Sequence, residues 1–446
     1  MDTTKPVSIQ HSPYLPLDKN VADYNIAFEH LSPYSFSGFK KESLSWKKTC
    51  YLHAGLNPSY PYKISGPDAL RLFSDTCVND FKTFSEGTTR HAVMCNANGN
   101  VMSDGILLSL GNNEYMSYFL SPYINYFADS GKYNVQAEDL TGKVFLFQIG
   151  GPLSLKVLEA ATQSSLRDIE FFHHRPSQIV DSATGNTKYD VRILRMGVAG
   201  TLAYEVHGAI DNAEAVYNAI LQAGEQFGIE RLGMQVYGTN HTENGFVQSY
   251  IHFTCAFYED EDFMAYIGNA YNNVLNNVAG SAGNDIAKRY LNPVEAGWEN
   301  RIHLDHDFTG RDALIEILRN PKRKVVTLLW NAEDIIDVYA SQLREGEEYN
   351  YMDLPANAIW TANNTAVHSD DVVKDGIVVG ISSGRVYTNY YKAMISLCII
   401  ILEHANIGNE VEIIWGEPGT KQKNIRATVS KFPYLHLPRN KDISVK

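Results

Sequence analysis

The chain has 446 residues, and 38 Lys and Arg against 51 Asp and Glu give a formal net charge of −13. That acidity argues against nucleic acid or an anionic membrane surface as a partner, and the longest apolar stretch, Met394–Leu402, is about half the length needed to span a bilayer. Hydrophobic residues at 44% suffice for a sizeable core in two or three domains. The N-terminus has no basic start or apolar core of a signal peptide, and the five cysteines are scattered with no CxxC pair. A reduced, cytoplasmic protein is expected, monomeric or homodimeric.

In chain order, residues 1–50 carry prolines and aromatics without a period and read as an irregular segment. Tyr62–Gly66 reads as a strand ending in a turn. Pro67–Val78 follows as a short helix, with Leu70, Phe73 and Cys77 on one face. Val101–Leu110 and Glu114–Leu120 are strands joined by a Gly-Asn-Asn turn. The order then recurs: strand Lys143–Ile149, turn Gly150-Gly-Pro152, helix Leu153–Ala161, strands Lys188–Met196 and Leu202–Val206. Asn212 is placed to cap a helix over Ala213–Phe227. The recurrence predicts two related α+β halves.

After a helix at Gly310–Leu314, strands dominate: Lys324–Trp330, Gly376–Ser382, Met394–Leu402, Glu410–Trp415 and Ile425–Phe432. They predict a small antiparallel barrel or sandwich. Glu333–Ala358 reads as a long acidic connection. The expected divisions are an N-terminal segment, 1–52; a first α+β half, 53–140; a second, 141–300; and a linker with the barrel, 301–446.

The familiar cofactor motifs are missing. Gly150-Gly151-Pro152 follows a strand without being GxGxxG, and there is no Walker A sequence or GxSxG elbow. His173-His174 and His303-Leu-Asp-His306 lack metal-ligand spacing, so no metal is expected. What stands out is a pair of acids inside apolar strands, Asp104 in Val101–Leu108 and Glu205 in Leu202–Val206. A buried, unpartnered carboxylate costs several kcal/mol. Taken singly, each acid is as readily explained by an edge or solvent-facing position. Their matching places in two duplicated halves favour a ligand with N–H donors, such as a pterin ring.

Ile64-Ser-Gly-Pro-Asp-Ala-Leu70, Asn96-Ala-Asn-Gly-Asn-Val-Met-Ser-Asp-Gly105, Arg195-Met-Gly-Val-Ala-Gly200, Phe308-Thr-Gly-Arg-Asp-Ala-Leu314 and Ala427-Thr-Val-Ser-Lys-Phe-Pro-Tyr434 together resemble the glycine-cleavage T-protein (aminomethyltransferase) superfamily. The resemblance runs in order over about residues 50–440. It implies a T-protein-like fold of two α+β halves plus a C-terminal antiparallel β-barrel, with tetrahydrofolate as one-carbon acceptor. Phe147-Gln-Ile-Gly-Gly-Pro152, Gly233-Met-Gln-Val-Tyr237, Asn240, Glu243-Asn-Gly245 and Val411-Glu-Ile-Ile-Trp-Gly-Glu417 resemble most the tetrahydrofolate-dependent aromatic O-demethylases of the vanillate/syringate type.

Carried over by position, the resemblance implies Tyr237 as the catalytic tyrosine and Asp104 as the acid near the reacting folate nitrogens. Gln148, Glu205, Phe246 and Asp104 would bind the folate, with Phe246 where that branch has a tryptophan. His53, Asn57, Leu120 and His241 would line the substrate pocket. Leu120 falls where the vanillate-type enzymes carry an arginine. The implied reaction moves a methyl group from a methoxyaromatic to N5 of tetrahydrofolate. Alternatives are a T-protein-like aminomethyltransferase, an N- or S-methyl demethylase, and a folate-binding protein without turnover.

Overall fold

The computed structural model describes residues 9–18, 20–27, 30–181, 185–268, 278–354 and 367–435. Two antiparallel sheets and a closed barrel carry the architecture. The first sheet runs Thr89–Cys95, Val101–Gly111, Glu114–Tyr118, Tyr62–Ser65, Gln136–Asp139. The second runs His174–Val180, Lys188–Leu194, Ala203–Ala209, Val144–Gly150, Cys50–His53, with Ile229–Arg231 added parallel at its edge. The first five strands of each follow one plan: a three-strand meander, the strand that precedes the helix, and an outer strand.

The outer strands are exchanged. Cys50–His53 precedes the first half in sequence but pairs with Val144–Gly150 of the second. Gln136–Asp139 precedes the second half but pairs with Tyr62–Ser65 of the first. Each half thus completes the other's sheet.

Each sheet covers its own core. Helix Ala69–Thr76 buries Leu72 and Phe73 on the first. Helices Ser154–Thr162 and Ala213–Gly224 bury Leu155, Leu158, Val216 and Ile220 on the second. A further core that includes Leu108, Tyr118, Leu146, Leu194 and Tyr237 lies where the two halves meet. The barrel closes in the order Arg323–Trp330, Ala393–Ile401, Ile377–Thr388, Ser369–Lys374, Glu410–Trp415, Lys423–Ser430. No helix among the described residues is long and apolar enough to cross a membrane.

Several expectations need correction. Residues 1–50 are not irregular throughout: Gln10–His11, Asp23–Ala27 and His30–Ser35 form a small sheet, followed by helix Phe39–Lys48. The Asn212 side chain makes no capping bond, and its helix ends at Gly224 before a 3₁₀ turn, Glu225–Phe227. The acidic connection opens with a helix, Ala332–Ser341, because Asn331 Oδ1 accepts from the Glu333 and Asp334 amides. Residues 355–358 of that connection lie outside the described residues.

Asp104 and Glu205 are not at matching places. Lys63 pairs with Met116 in the first sheet and Gln148 with Glu205 in the second, Lys63 and Gln148 each lying three residues before the turn glycine, Gly66 or Gly151. The counterpart of Glu205 is therefore Met116, while Asp104 sits on the middle strand of its own meander.

Candidate functional site

Strand register builds one polar row. His53 pairs with Gln148, Gln148 with Glu205, Glu205 with Leu194, and Leu194 with His174. Residues directly opposite in adjacent strands share a face, so His53, Gln148 and Glu205 project together. All three are buried. Glu205 Oε1 accepts from Gln148 Nε2 at 3.1 Å, and Oε2 lies 3.0 Å from His207 Nε2. Two fixed partners offset part of the desolvation cost of a carboxylate at 2% exposure. His207 follows Glu205 by two residues on the same face, and Tyr118 of the first half meets its ring edge-on at 4.5 Å.

The helix Met234–Asn244 lies over this row. Its start is fixed by a distant acid: Glu42 Oε2 accepts from the Gly233 amide at 2.8 Å, while Oε1 accepts from the amides of Phe36, Ser37 and Gly38. Its end is fixed by Gly245, at φ 70°, where a Cβ would stand 2.6 Å from the Phe432 ring. Ten of its eleven residues are buried, and Thr242 Oγ1 donates to Gly384 O of the barrel at 2.8 Å. Its C-terminal turn also carries Glu243, ion-paired to Lys47 at 2.6 Å with both side chains fully buried. The catalytic candidate is therefore tied to the N-terminal helix and to the barrel as well as to the second half.

Tyr237 stacks face to face on His53, with ring centroids 4.2 Å apart and planes 7° from parallel. Its hydroxyl lies beside Gln148, and burial pushes it well above the ordinary 10, with Tyr51 and Glu205 adding to the rise. It therefore keeps its proton and is a hydrogen-bond donor at neutral pH. His53 Nδ1 lies 2.8 Å from Leu232 O, a contact that requires the proton on Nδ1. Burial lowers His53 to about 4 and His241 to about 3, so both rings are neutral at pH 7.

From Tyr237 a chain of rings leads to Asp104. His241 meets Tyr237 at 4.7 Å, Phe246 lies 5.9 Å from His241, and His91 lies 5.5 Å from Phe246. Trp298 closes on His91 edge-on at 4.8 Å and on Phe246 at 6.1 Å. His91 Nε2 lies 3.0 Å from Asp104 Oδ2. Gly105 follows Asp104 because a Cβ there would collide with Tyr118 O of the neighbouring strand.

Two candidates lie apart from this wall. Asn57 is buried, with Nδ2 donating to Ala54 O and Leu146 O and Oδ1 accepting from Leu146 N. Its amide already clips one strand to the next. Leu120 is fully buried in the first-half core with Tyr123 and Ile124.

Sequence reasoning passed over Tyr51, His207 and Trp298. The alternation Glu205-Val-His207 is the one local signal that would have drawn His207 in.

The residues present suit a flat heterocycle. His53 Nε2 and Gln148 Oε1 are buried without a hydrogen-bond partner among the described residues. Such orphans are expensive unless a ligand or water completes them. With the Glu205 carboxylate and the Phe246 and Trp298 rings, they offer acceptors and stacking faces to a pterin.

Residues 48–252 match the GCVT N-terminal domain family. The chain is 38% identical over 425 residues to a sesamin methylene transferase of Sinomonas sp. (strain No.22), covering 93% of this chain and 92% of that one. It is 29% identical to a syringate O-demethylase of Sphingobium sp. (strain NBRC 103272 / SYK-6), covering 91% and 90%. Its fold superposes on the glycine cleavage system aminomethyltransferase T of Bartonella henselae with a TM-score of 0.66 at 16% identity, over 94% and 95% of the two chains. Paired sheets, barrel and sequence relatives agree: the chain belongs to the GCVT family and is a tetrahydrofolate-dependent transferase.

Proposed function

We propose that this transferase removes the methyl group of an aryl methyl ether and passes it to tetrahydrofolate, leaving a phenol and 5-methyltetrahydrofolate. The observation that carries the reading is the buried, protonated Tyr237 hydroxyl beside the Gln148–Glu205 pair, its ring stacked on His53. An aryl ether is inert because the phenolate leaves poorly. A tyrosine that donates to the ether oxygen as the C–O bond breaks answers that difficulty, since burial keeps the proton on Tyr237 until the leaving oxygen develops charge. Folate supplies the secondary amine that takes the methyl group. Glu205 and Gln148 would hold the pterin edge, Phe246 its face, and Asp104 would stand near N5. His53 and His241 would flank the aromatic substrate. Alignment of amine, methyl carbon and oxygen is the remaining contribution of such a site.

A second reading is favoured by the 38% identity to a methylene transferase, against 29% to the O-demethylase. In it, a methylene carbon held between two aryl oxygens is transferred in place of a methyl. One assay separates the readings: tetrahydrofolate with a panel of methoxy- and methylenedioxyaromatics, products resolved as 5-methyl- or 5,10-methylenetetrahydrofolate. Formation of 5-methyltetrahydrofolate supports demethylation; 5,10-methylenetetrahydrofolate from the methylenedioxy compounds alone supports the second. No product from any aryl ether refutes both.

A further inference from the structure

Asp104 does not stand alone. On the paired strands Thr89–Cys95 and Val101–Gly111, Val93 is opposite Asp104 and His91 is opposite Ile106, so His91 is the diagonal neighbour of Asp104 on one face. Its Nε2 lies 3.0 Å from Asp104 Oδ2, with the two side chains at 4% and 10% exposure. Asp104 Oδ1 has no hydrogen-bond partner among the described residues. The other imidazole nitrogen, Nδ1, is buried without a partner. The His91 ring is held by Trp298 at 4.8 Å and Phe246 at 5.5 Å, and the backbone beneath it by Asn79 Nδ2, which donates to His91 O at 2.7 Å. This is a carboxylate–imidazole dyad at the far end of the ring wall that leads to Tyr237.

We propose that His91 is the positioning residue for Asp104: its Nε2–H donates to Oδ2, which leaves Oδ1 for the reacting amine and for the proton that the amine gives up. The inference rests on the methyl-transfer reading and adds the fate of that proton. In the balanced step the methyl C–O bond breaks and an N–CH₃ bond forms. The amine proton passes to Asp104 Oδ1, and the aryl oxygen takes its proton from Tyr237. One proton is released at the Asp104 end and one consumed at the Tyr237 end, so the two ends of the ring wall have opposite duties. The Nε2–H bond to Oδ2 persists whether Asp104 is ionised or protonated, so the acid keeps a partner in its buried site throughout the transfer.

The test compares His91→Gln and Asp104→Asn with the wild-type protein, using tetrahydrofolate as the probe. Glutamine retains a donor to Asp104 but lacks the ring that Trp298 and Phe246 hold, so it cannot fix the carboxylate in one orientation. The expected result for His91→Gln is a tetrahydrofolate Kd within about threefold of wild type and a kcat lower by about 10–100-fold, a split that a purely structural role would not give. A second readout needs no turnover. In ¹⁵N spectra of histidine-labelled protein, the His91 ring nitrogens should shift on addition of tetrahydrofolate in the wild type and not in Asp104→Asn. Wild-type kcat in His91→Gln, or His91 resonances indifferent to tetrahydrofolate, overturns the proposal. If the wild type binds tetrahydrofolate with the His91 shift but demethylates no aryl ether, the methyl-transfer reading fails while the Asp104–His91 placement beside the folate stands.

Discussion

The substitution Glu205→Gln separates a folate-holding acid from a merely buried one. Both Glu205 oxygens already have a partner, Gln148 Nε2 at 3.1 Å and His207 Nε2 at 3.0 Å. Each oxygen retains a lone pair for a pterin N–H. The amide keeps one acceptor, turns the other into a donor facing Gln148 or His207, and removes the charge. Hydrogen bonds to a charged group contribute about 1.5–3 kcal/mol against roughly 0.5–1.5 for neutral ones. A pterin held by two such bonds would lose roughly 1.5–3 kcal/mol of binding, about tenfold to a hundredfold in Kd. Anaerobic calorimetric titration with tetrahydrofolate measures this directly, and thermal unfolding of the free variant controls for damage to the row. An unchanged Kd in a folded variant would place the pterin elsewhere and dissolve the role assigned to Glu205.

The remaining expectations are more compact. Tyr237→Phe should retain tetrahydrofolate affinity and lose about 10²–10⁴ in kcat, the range of a lost general acid; near-normal turnover removes Tyr237 from the chemistry. Guaiacol-type ethers should exceed vanillate in kcat/KM, because a carboxylate entering beside the neutral His53 and His241 rings loses its water without gaining a cation; a tenfold preference for vanillate would refute this. Lys47→Met should cost about 3–5 kcal/mol by leaving Glu243 buried without a counter-ion, and Lys47→Met with Glu243→Leu should recover most of it, both read by urea unfolding. His53, His174, His241 and His252 are lowered by burial to about 4, 3, 3 and 3. The unfolded chain therefore binds more protons as pH falls below 6.5, and the stability that these neutral rings contribute above pH 6.5 should be lost between there and pH 3. An unfolding midpoint flat from pH 7 to 4 would contradict that sign.

The sequence made the barrel and the two halves legible because they are built from regular periods. Strands such as Lys324–Trp330 and the turn-helix pairs after Ile64 and Ile149 announce themselves by hydrophobic pattern and glycine turns. The helix that carries Tyr237 does not. Met234–Asn244 is buried on nearly every side, and its Thr, Asn, His and Glu residues face partners or ligand space, so no apolar stripe exists to be read. Only the resemblance singles out Tyr237 as a candidate. The acids Asp104 and Glu205 were visible as polar residues in apolar strands, but their relation was misread, since register and not chain order decides which positions correspond. His91 and Trp298 carry no local signal at all.

The exchanged strands explain why the site could not be assembled by reading along the chain. The row His53, Gln148, Glu205 joins a strand that precedes the first half to two strands of the second. The Asp104–His91 dyad belongs to the first sheet, and the ring wall between them is completed by residues 237 to 246 and by Trp298. A ligand that touched both Glu205 and Asp104 would therefore bridge the two halves, and any slippage between them would misalign donor and acceptor. The fold resists slippage because each half lends the other its outer strand, and because Glu42 and Lys47 fasten the Tyr237 helix near both ends. Transfer of a one-carbon group between two small molecules gains most from fixed alignment. In this chain that rigidity comes from the duplication itself: two sheets that cannot separate without each losing a strand.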